Sequence, residues 1–349
     1  MLPWRRVPEA RGAPTVWLVV GEKPGDNAQV RAIAEALGWP YQERRIAMQP
    51  SWVRGKPRVR ASLHHIDASR SDALAPPWPD LLITIGRRLS MVALWVREQS
   101  EGRTRLVLIG KPRRLAGRFD LVVASAQYRA RGANVVQLGL PLMRVDAGAV
   151  AAAADAWRVR LAPLPRPLTA VLVGGPTKPV RFDAGAAREL ARALARSAEG
   201  GTLYVTTSRR TPPEVVESLA GALPAATPFY RWQPDAQDNP YLPLLGLADR
   251  FVVTSDSVTM MVEVARLGRP LAVFVLPPAR GRLLRSWAGG RDLEAVPRLL
   301  IEHGMAVRLG EPFRAPVEPP PDELPRVVAR VRALFDPCGA PIDAAPAAV

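Results

Sequence analysis

The chain has 349 residues, 48% hydrophobic and 23% charged, the balance of a globular protein with room for two cores. No apolar run reaches the ~18 residues of a membrane-spanning helix, and the basic start (MLPWRRVPEARGAP, 1–14) has no apolar stretch behind its arginines, so neither a span nor a signal peptide is expected. The net charge of +16 does not by itself point to nucleic acid. Only four of the 48 basic residues are lysines, an arginine skew that reads as codon bias, and no helix-turn-helix, RNA-binding aromatic or zinc spacing accompanies it.

In chain order, Val16–Val20 predicts a strand and 27–37 a helix with Ala28, Ile33, Ala34 and Leu37 on one face. The loop between them, GEKPGDNAQ (21–29), carries Gly25, Asp26 and Asn27. Asp26 reads either as a helix N-cap or as a general base facing a cleft, taking the proton of an acceptor hydroxyl. The patches RGKPRVR (54–60) and KPRR (111–114) read as solvated loops or as contacts for anionic headgroups and phosphates. Further strands are predicted at 81–85, 106–109 and 121–124, with a helix over 87–97. Arg87, in GRR (86–88) at a strand end, is a second cleft-lining candidate. An alanine-rich helix over 147–160 leads to PLPRP (163–167), a stiff connector where the boundary between domains 1–162 and 168–337 is expected.

The second half restarts the alternation. Strands are predicted at 169–173, 202–206, 250–253 and 271–275, and helices at 184–196, 213–220, 258–267, 292–302 and 323–335, before a flexible tail, 338–349, holding the single cysteine, Cys338. A lone cysteine makes no disulfide within the chain and suits a reducing compartment. A cytoplasmic location is expected, with peripheral contact at the inner face of a membrane left open. The predicted fold class is α/β: two Rossmann-like domains facing a cleft, with ligands beyond the carboxyl ends of the strands.

Three segments of this half carry chemistry. In TSDSVTMMVE (254–263), Ser255, Ser257 and Thr259 put hydroxyls and free N–H groups at a helix N-terminus, a ready anion site. Glu263, one turn beyond Thr259, suits a ribose diol. The competing reading is an N-cap by Ser255 or Asp256 and a solvated glutamate. Gly174 and Gly175, in GGPTK (174–178), let backbone approach a ligand or simply make a strand-to-helix turn. In TTSRRTPP (206–213), Arg209 and Arg210 suit diphosphate recognition, while Ser208 or Thr211 could cap the next helix. The aromatics of YRW (230–232) and DNPY (238–241) stack on a base or pack in the core, and Asn239 with Pro240 marks a turn and helix start. His64, His65 and His303 join no carboxylate pattern, so no metal and no cofactor is expected. A nicotinamide-dependent epimerase is disfavoured, since no lysine has a tyrosine four residues before it.

The set GDNAQ (25–29), TSRRTP (207–212), NPY (239–241), AD (248–249), VTSDSVTMMVE (253–263) and GRP (268–270) resembles the family named for plant mitochondrial fission proteins of the elongated-mitochondria type, over roughly 15–335. The chain departs from that family's pattern at ASAQY (124–128), where a proline–glutamate–histidine–aspartate-like run belongs. The segments are also similar to GT-B glycosyltransferases. The Gly21–Gln29 loop resembles that of lipid A disaccharide synthases, which implies Asp26 as the base. The 255–270 segment resembles the nucleotide-sugar segment of those enzymes and of the peptidoglycan N-acetylglucosaminyltransferase, which implies Ser257 and Thr259 toward the diphosphate and Glu263 toward the ribose. The resemblance implies a GT-B-type transferase, inverting and metal-independent. Taken with the residues read above, the expected donor-binding set is Gly174, Gly175, Ser208, Arg209, Arg210, Ser255, Ser257, Thr259 and Glu263, and Gly25, Asn27 and Arg87 are expected to line the cleft. A UDP-sugar is the first candidate donor, and the acceptor is open, with a lipid-linked one an option. The alternative is a non-catalytic GT-B scaffold recruiting a membrane-remodelling partner.

Overall fold

In the computed structural model the described residues are 12–53, 58–111, 113–128, 130–177, 179–197, 200–234, 236–279 and 292–336. Two compact units emerge. Unit 1 takes residues up to Ala124, Ala130–Leu138 and the chain from Asp322 onward; unit 2 takes Ser125–Arg129 and Gly139–Pro321.

Unit 1 runs β1 (Val16–Val20), α1 (Pro24–Leu37), β2 (Tyr41–Arg45), the single turn α2 (Pro50–Val53), β3 (Leu81–Ile85), α3 (Gly86–Gln99), β4 (Arg105–Ile109), β5 (Leu121–Ser125) and β6 (Val135–Leu138). The sheet order is β2-β1-β3-β4-β5-β6. The ladders β1–β2, β1–β3, β3–β4 and β4–β5 are parallel. Central strands β1, β3 and β5 are buried at every position, as continuous apolar runs covered on both faces should be. Helix α1 starts at Pro24, three residues before the expected Asn27, because proline suits the first helical position, and it stops where Gly38 adopts φ +68°.

Unit 2 runs α4 (Ala147–Leu161), β7 (Leu168–Val173), α5 (Ala184–Ser197), β8 (Thr202–Thr207), α6 (Pro213–Ala222), β9 (Phe229–Tyr230), α7 (Tyr241–Leu247), β10 (Arg250–Thr254), α8 (Val258–Arg266), β11 (Leu271–Phe274), α9 (Ala295–Glu302) and β12 (Val307–Arg308). Its sheet is parallel throughout, in the order β12-β11-β10-β7-β8-β9. Val171, Val173, Leu190, Leu194, Val205 and Leu219 form the core beneath α5 and α6. Helix α10 (Leu324–Arg332) then returns to unit 1 and packs on α1.

The expected boundary at Pro163–Pro167 does not coincide with these units. Helix α4 packs on α7, so the chain has already entered unit 2 at Gly139. The proline connector is tied down inside that unit. Arg166 Nη2 donates to Leu247 O (3.1 Å) and Asp249 Oδ1 (2.9 Å), and Leu168 N–H donates to Asp249 Oδ2 (2.6 Å). The tail from 338 on, with Cys338, lies outside the described residues, as do 54–57 and Pro112 of the basic patches.

Candidate functional site

In unit 2 the strands after β7 extend the sheet one way and those from β10 extend it the other. The crevice beyond the carboxyl ends of β7 and β10 is therefore the switch point where such sheets hold ligands. Gly174 and Gly175 follow β7 there; Ser255, Asp256 and Ser257 follow β10 and lead into α8.

The two turns are bonded together. Thr254 Oγ1 accepts from Gly174 N–H (2.9 Å) and donates to Asp256 Oδ1 (2.8 Å). Asp256 Oδ2 accepts from Gly175 N–H (2.8 Å) and from Arg210 Nη2 (2.9 Å). Burial pushes the Asp256 carboxyl above the usual aspartate value, while the Arg210 charge and the Gly175 and Thr254 donors pull against that rise. Arg210 Nη1 also donates to Gly175 O (3.2 Å) and Thr177 Oγ1 (2.5 Å). The glycines are explained by these neighbours. A Cβ on Gly174 would lie 2.2 Å from Asp256 Oδ2, and one on Gly175 would lie 2.1 Å from Arg210 O. The room they leave is filled by protein, not held open for a ligand as their position after a strand had suggested.

Helix α8 starts without a side-chain cap: Ser257 is the N-cap residue and its hydroxyl caps nothing. The competing cap reading does not hold, because both candidates are committed elsewhere. Ser255 Oγ accepts from Leu276 N–H (3.0 Å), and Asp256 is spent on the β7 turn. This also corrects Ser255 as a donor-binding residue, since its hydroxyl is buried against the chain leaving β11. Thr259 is half-buried in the first turn. Glu263 is half-buried and held, not freely solvated: it accepts a hydrogen bond from the Tyr241 hydroxyl at the start of α7. Burial raises the Glu263 carboxyl above the usual glutamate value, and the Tyr241 hydrogen bond opposes that rise. The Tyr241 hydroxyl is in turn pushed well above the ordinary phenol range, first by burial and then by the Glu263 charge.

The Ser208–Thr211 turn belongs to the same cluster. Thr211 Oγ1 accepts from Ser208 N–H (2.9 Å) and donates to Gly174 O (2.5 Å), so neither residue caps α6, whose N-cap is Pro212. Arg209 is exposed and makes no ion pair among the described residues. Lys178 lies outside them. Sequence reasoning missed the linking roles of Thr254, Asp256 and Tyr241. Their motifs were visible, but their partners come from elements far away in the chain.

In unit 1, Asp26 sits inside the first turn of α1 and is no N-cap. Its carboxylate is 43% exposed, 3.8 Å from Lys23 Nζ. Asn27 is a structural clamp: its amide accepts from Gly21 N–H (3.1 Å) and donates to Gly21 O (2.7 Å). Gly25 is half-buried in the same first turn, and Arg87 half-buried in the first turn of α3.

The family model described as mitochondrial fission ELM1 matches residues 24–334. The chain belongs to the mitochondrial fission ELM1 family. Over 219 residues it is 29% identical to mitochondrial fission protein ELM1 of Arabidopsis thaliana, covering 56% of this chain and 51% of the plant protein, so it spans about half that relative's length. An uncharacterized protein of Rickettsia prowazekii is 23% identical over 299 residues, covering 75% of this chain and 83% of its own. Among solved structures, the UDP-GlcNAc 2-epimerase of Neisseria meningitidis bound to UDP-GlcNAc has a TM-score of 0.50 at 10% identity, covering 92% of this chain and 100% of the epimerase. Acinetobacter baumannii MurG has a TM-score of 0.45 at 14% identity, covering 92% and 90%. The ELM1-family chain thus has a GT-B-like α/β fold of two parallel six-stranded sheets. No helix among its described residues is long and apolar enough to cross a membrane.

Proposed function

We propose that this ELM1-family protein binds a nucleotide sugar in unit 2 and transfers its sugar by an inverting, metal-independent mechanism. The observation that carries the reading is the β7–β10 switch point, where the uncapped start of α8, the guanidinium of Arg210 and the half-buried carboxylate of Glu263 come from adjoining elements. Helix N–H groups and an arginine suit phosphoryl oxygens, and a carboxylate suits the hydroxyls of a ribose. Ser257 and Thr259 would meet the diphosphate. In the step itself the bond from the anomeric carbon to the diphosphate oxygen breaks, the acceptor oxygen bonds to that carbon from the opposite face, and Asp26 takes the acceptor's proton. The nucleoside diphosphate leaves with its charge met by fixed dipoles and arginine. A fold relative holding UDP-GlcNAc makes a UDP-sugar the first donor to try.

Titration calorimetry with UDP, UDP-GlcNAc and the corresponding ADP, GDP and CDP compounds tests this. Glu263→Ala is expected to weaken the best ligand by roughly 10- to 100-fold, the size of a lost charge-assisted hydrogen bond. Wild-type protein that binds none of the panel would sink the reading. A non-catalytic scaffold has one observation in its favour: Asp26 is exposed and paired with a lysine, not sheltered as a base usually is. Nucleotide binding that survives Asp26→Asn, with no turnover in either protein, would favour that scaffold.

A further inference from the structure

We propose that Asp256 is the positioning residue of the switch point, holding Arg210 so that part of its guanidinium stays presented to a phosphoryl group. The inference rests on the nucleotide reading above and assigns a task to a residue that reading leaves idle.

The argument is one of donor accounting. A guanidinium has five N–H donors. In Arg210, Nη1 is used by Gly175 O and Thr177 Oγ1, and one Nη2 donor by Asp256 Oδ2. The Nε–H and the second Nη2–H have no acceptor among the described residues, and the side chain is 42% exposed. The Asp256 carboxylate beneath it is wholly buried. Asp256 is itself fixed from both sides, by Gly175 N–H on one oxygen and Thr254 Oγ1 on the other, and Thr254 also holds Gly174 N–H. A buried charge that keeps one partner and two neutral donors is rigid, so the fork it grips is preset. Two donors of one planar fork match two oxygens of a phosphoryl group, which a freely swinging arginine would have to be ordered to meet.

The test is a double-mutant cycle read as affinity for the best-bound nucleoside diphosphate of the panel, with inorganic pyrophosphate alongside. Arg210→Ala and Asp256→Asn are each expected to weaken binding at least tenfold. Asp256→Asn placed on Arg210→Ala is expected to change it less than twofold further, because the aspartate acts through the arginine. Circular dichroism and melting of each variant report folding separately. Should Asp256→Asn not fold, Arg210→Lys keeps the proposal exposed: a point charge cannot grip Asp256 and a phosphoryl group along one fork, so it should lose nearly as much as Arg210→Ala. Additive losses in the cycle, or Arg210→Lys binding within twofold of wild type, would overturn the positioning role while leaving the nucleotide site standing. Wild type that binds neither any diphosphate nor pyrophosphate overturns both.

Discussion

Glu263 is where burial and the proposed ribose contact pull in opposite directions. Its folded value lies above the ordinary 4.5, chiefly because α7 and α8 remove it from water. A carboxyl raised on folding contributes stability that is fully present below 4.5 and is lost as pH rises through the folded value. The proposed ribose contact would have the other sign, since the ionised carboxylate is the better acceptor for hydroxyls. Nucleotide affinity should therefore rise with pH over the window in which stability falls, and Glu263→Gln should flatten both curves. Calorimetric titrations and urea melts at matched pH check this; a Glu263→Gln protein that keeps both slopes would remove the group from the site. His65 has a simpler prediction. It is fully buried, its Nδ1 lacks a partner among the described residues, and Nε2 sits 3.0 Å from Arg88 O. Burial pulls its imidazole below 6.5; the hydrogen bond to the Arg88 carbonyl opposes that fall, and the charges of His64 and Arg88 add to it. Above 6.5 it is neutral folded or unfolded and contributes nothing to the pH slope. Below 6.5 the unfolded chain takes the proton first, so stability should fall with acidity, and His65→Gln should remove that part of the slope in melts followed by circular dichroism. Neither group's state was legible in the sequence. Composition reveals that Glu263 lies near a helix start, but only the fold reveals that Tyr241, from the NPY motif, covers it.

At the scale of elements, the strands missing from the sequence reading are β2, β6, β9 and β12, and each is the edge of its sheet. An edge strand is covered on fewer sides, so it need not be apolar: β2 reads YQERR with no buried position, and β9 and β12 have two residues each. The central strands, sealed on both faces, advertise themselves as apolar runs and were found within two residues of their bounds. Helix α7 went unread beyond its start signal for a different reason: at seven residues it has too few turns for periodicity to register. Its packing is nevertheless tight. A Cβ on Gly246 would lie 2.8 Å from Ala154 Cβ and 3.3 Å from Val150 O on α4. Gly246→Ala should cost ~1–3 kcal/mol by forcing the two helices apart. Ala154→Gly in the same chain should recover part of that loss, not all, because the Val150 carbonyl remains in the way. Thermal melts of the two singles and the double decide it; strictly additive losses would mean the helices do not meet there.

For the molecule as a whole, the consequential feature is that the chain leaves unit 1 and comes back. The sequence marks the last helix clearly but not its destination, because an amphipathic stripe says that a face is buried without saying against what. Leu324, Val327 and Val331 of α10 are buried. Arg332 Nη2 donates to Leu37 O (3.1 Å), and Phe335 meets Trp39 edge-on at 5.3 Å beneath the guanidinium of Arg105. All of these partners lie in unit 1. Three apolar side chains at ~1.5–3 kcal/mol each are a large share of a typical domain's stability. A chain ending at Pro321 should accordingly melt in two steps, unit 1 first, with unit 2 near its wild-type midpoint. Hydrogen exchange of the α1 and β1 amides follows the first step, and ligand-induced stabilisation by the best nucleotide should be confined to the second, since the switch point of β7 and β10 keeps every one of its elements. Loss of ligand stabilisation on that truncation would mean that nucleotide binding draws on unit 1 as well, and would move the site off the β7–β10 crevice.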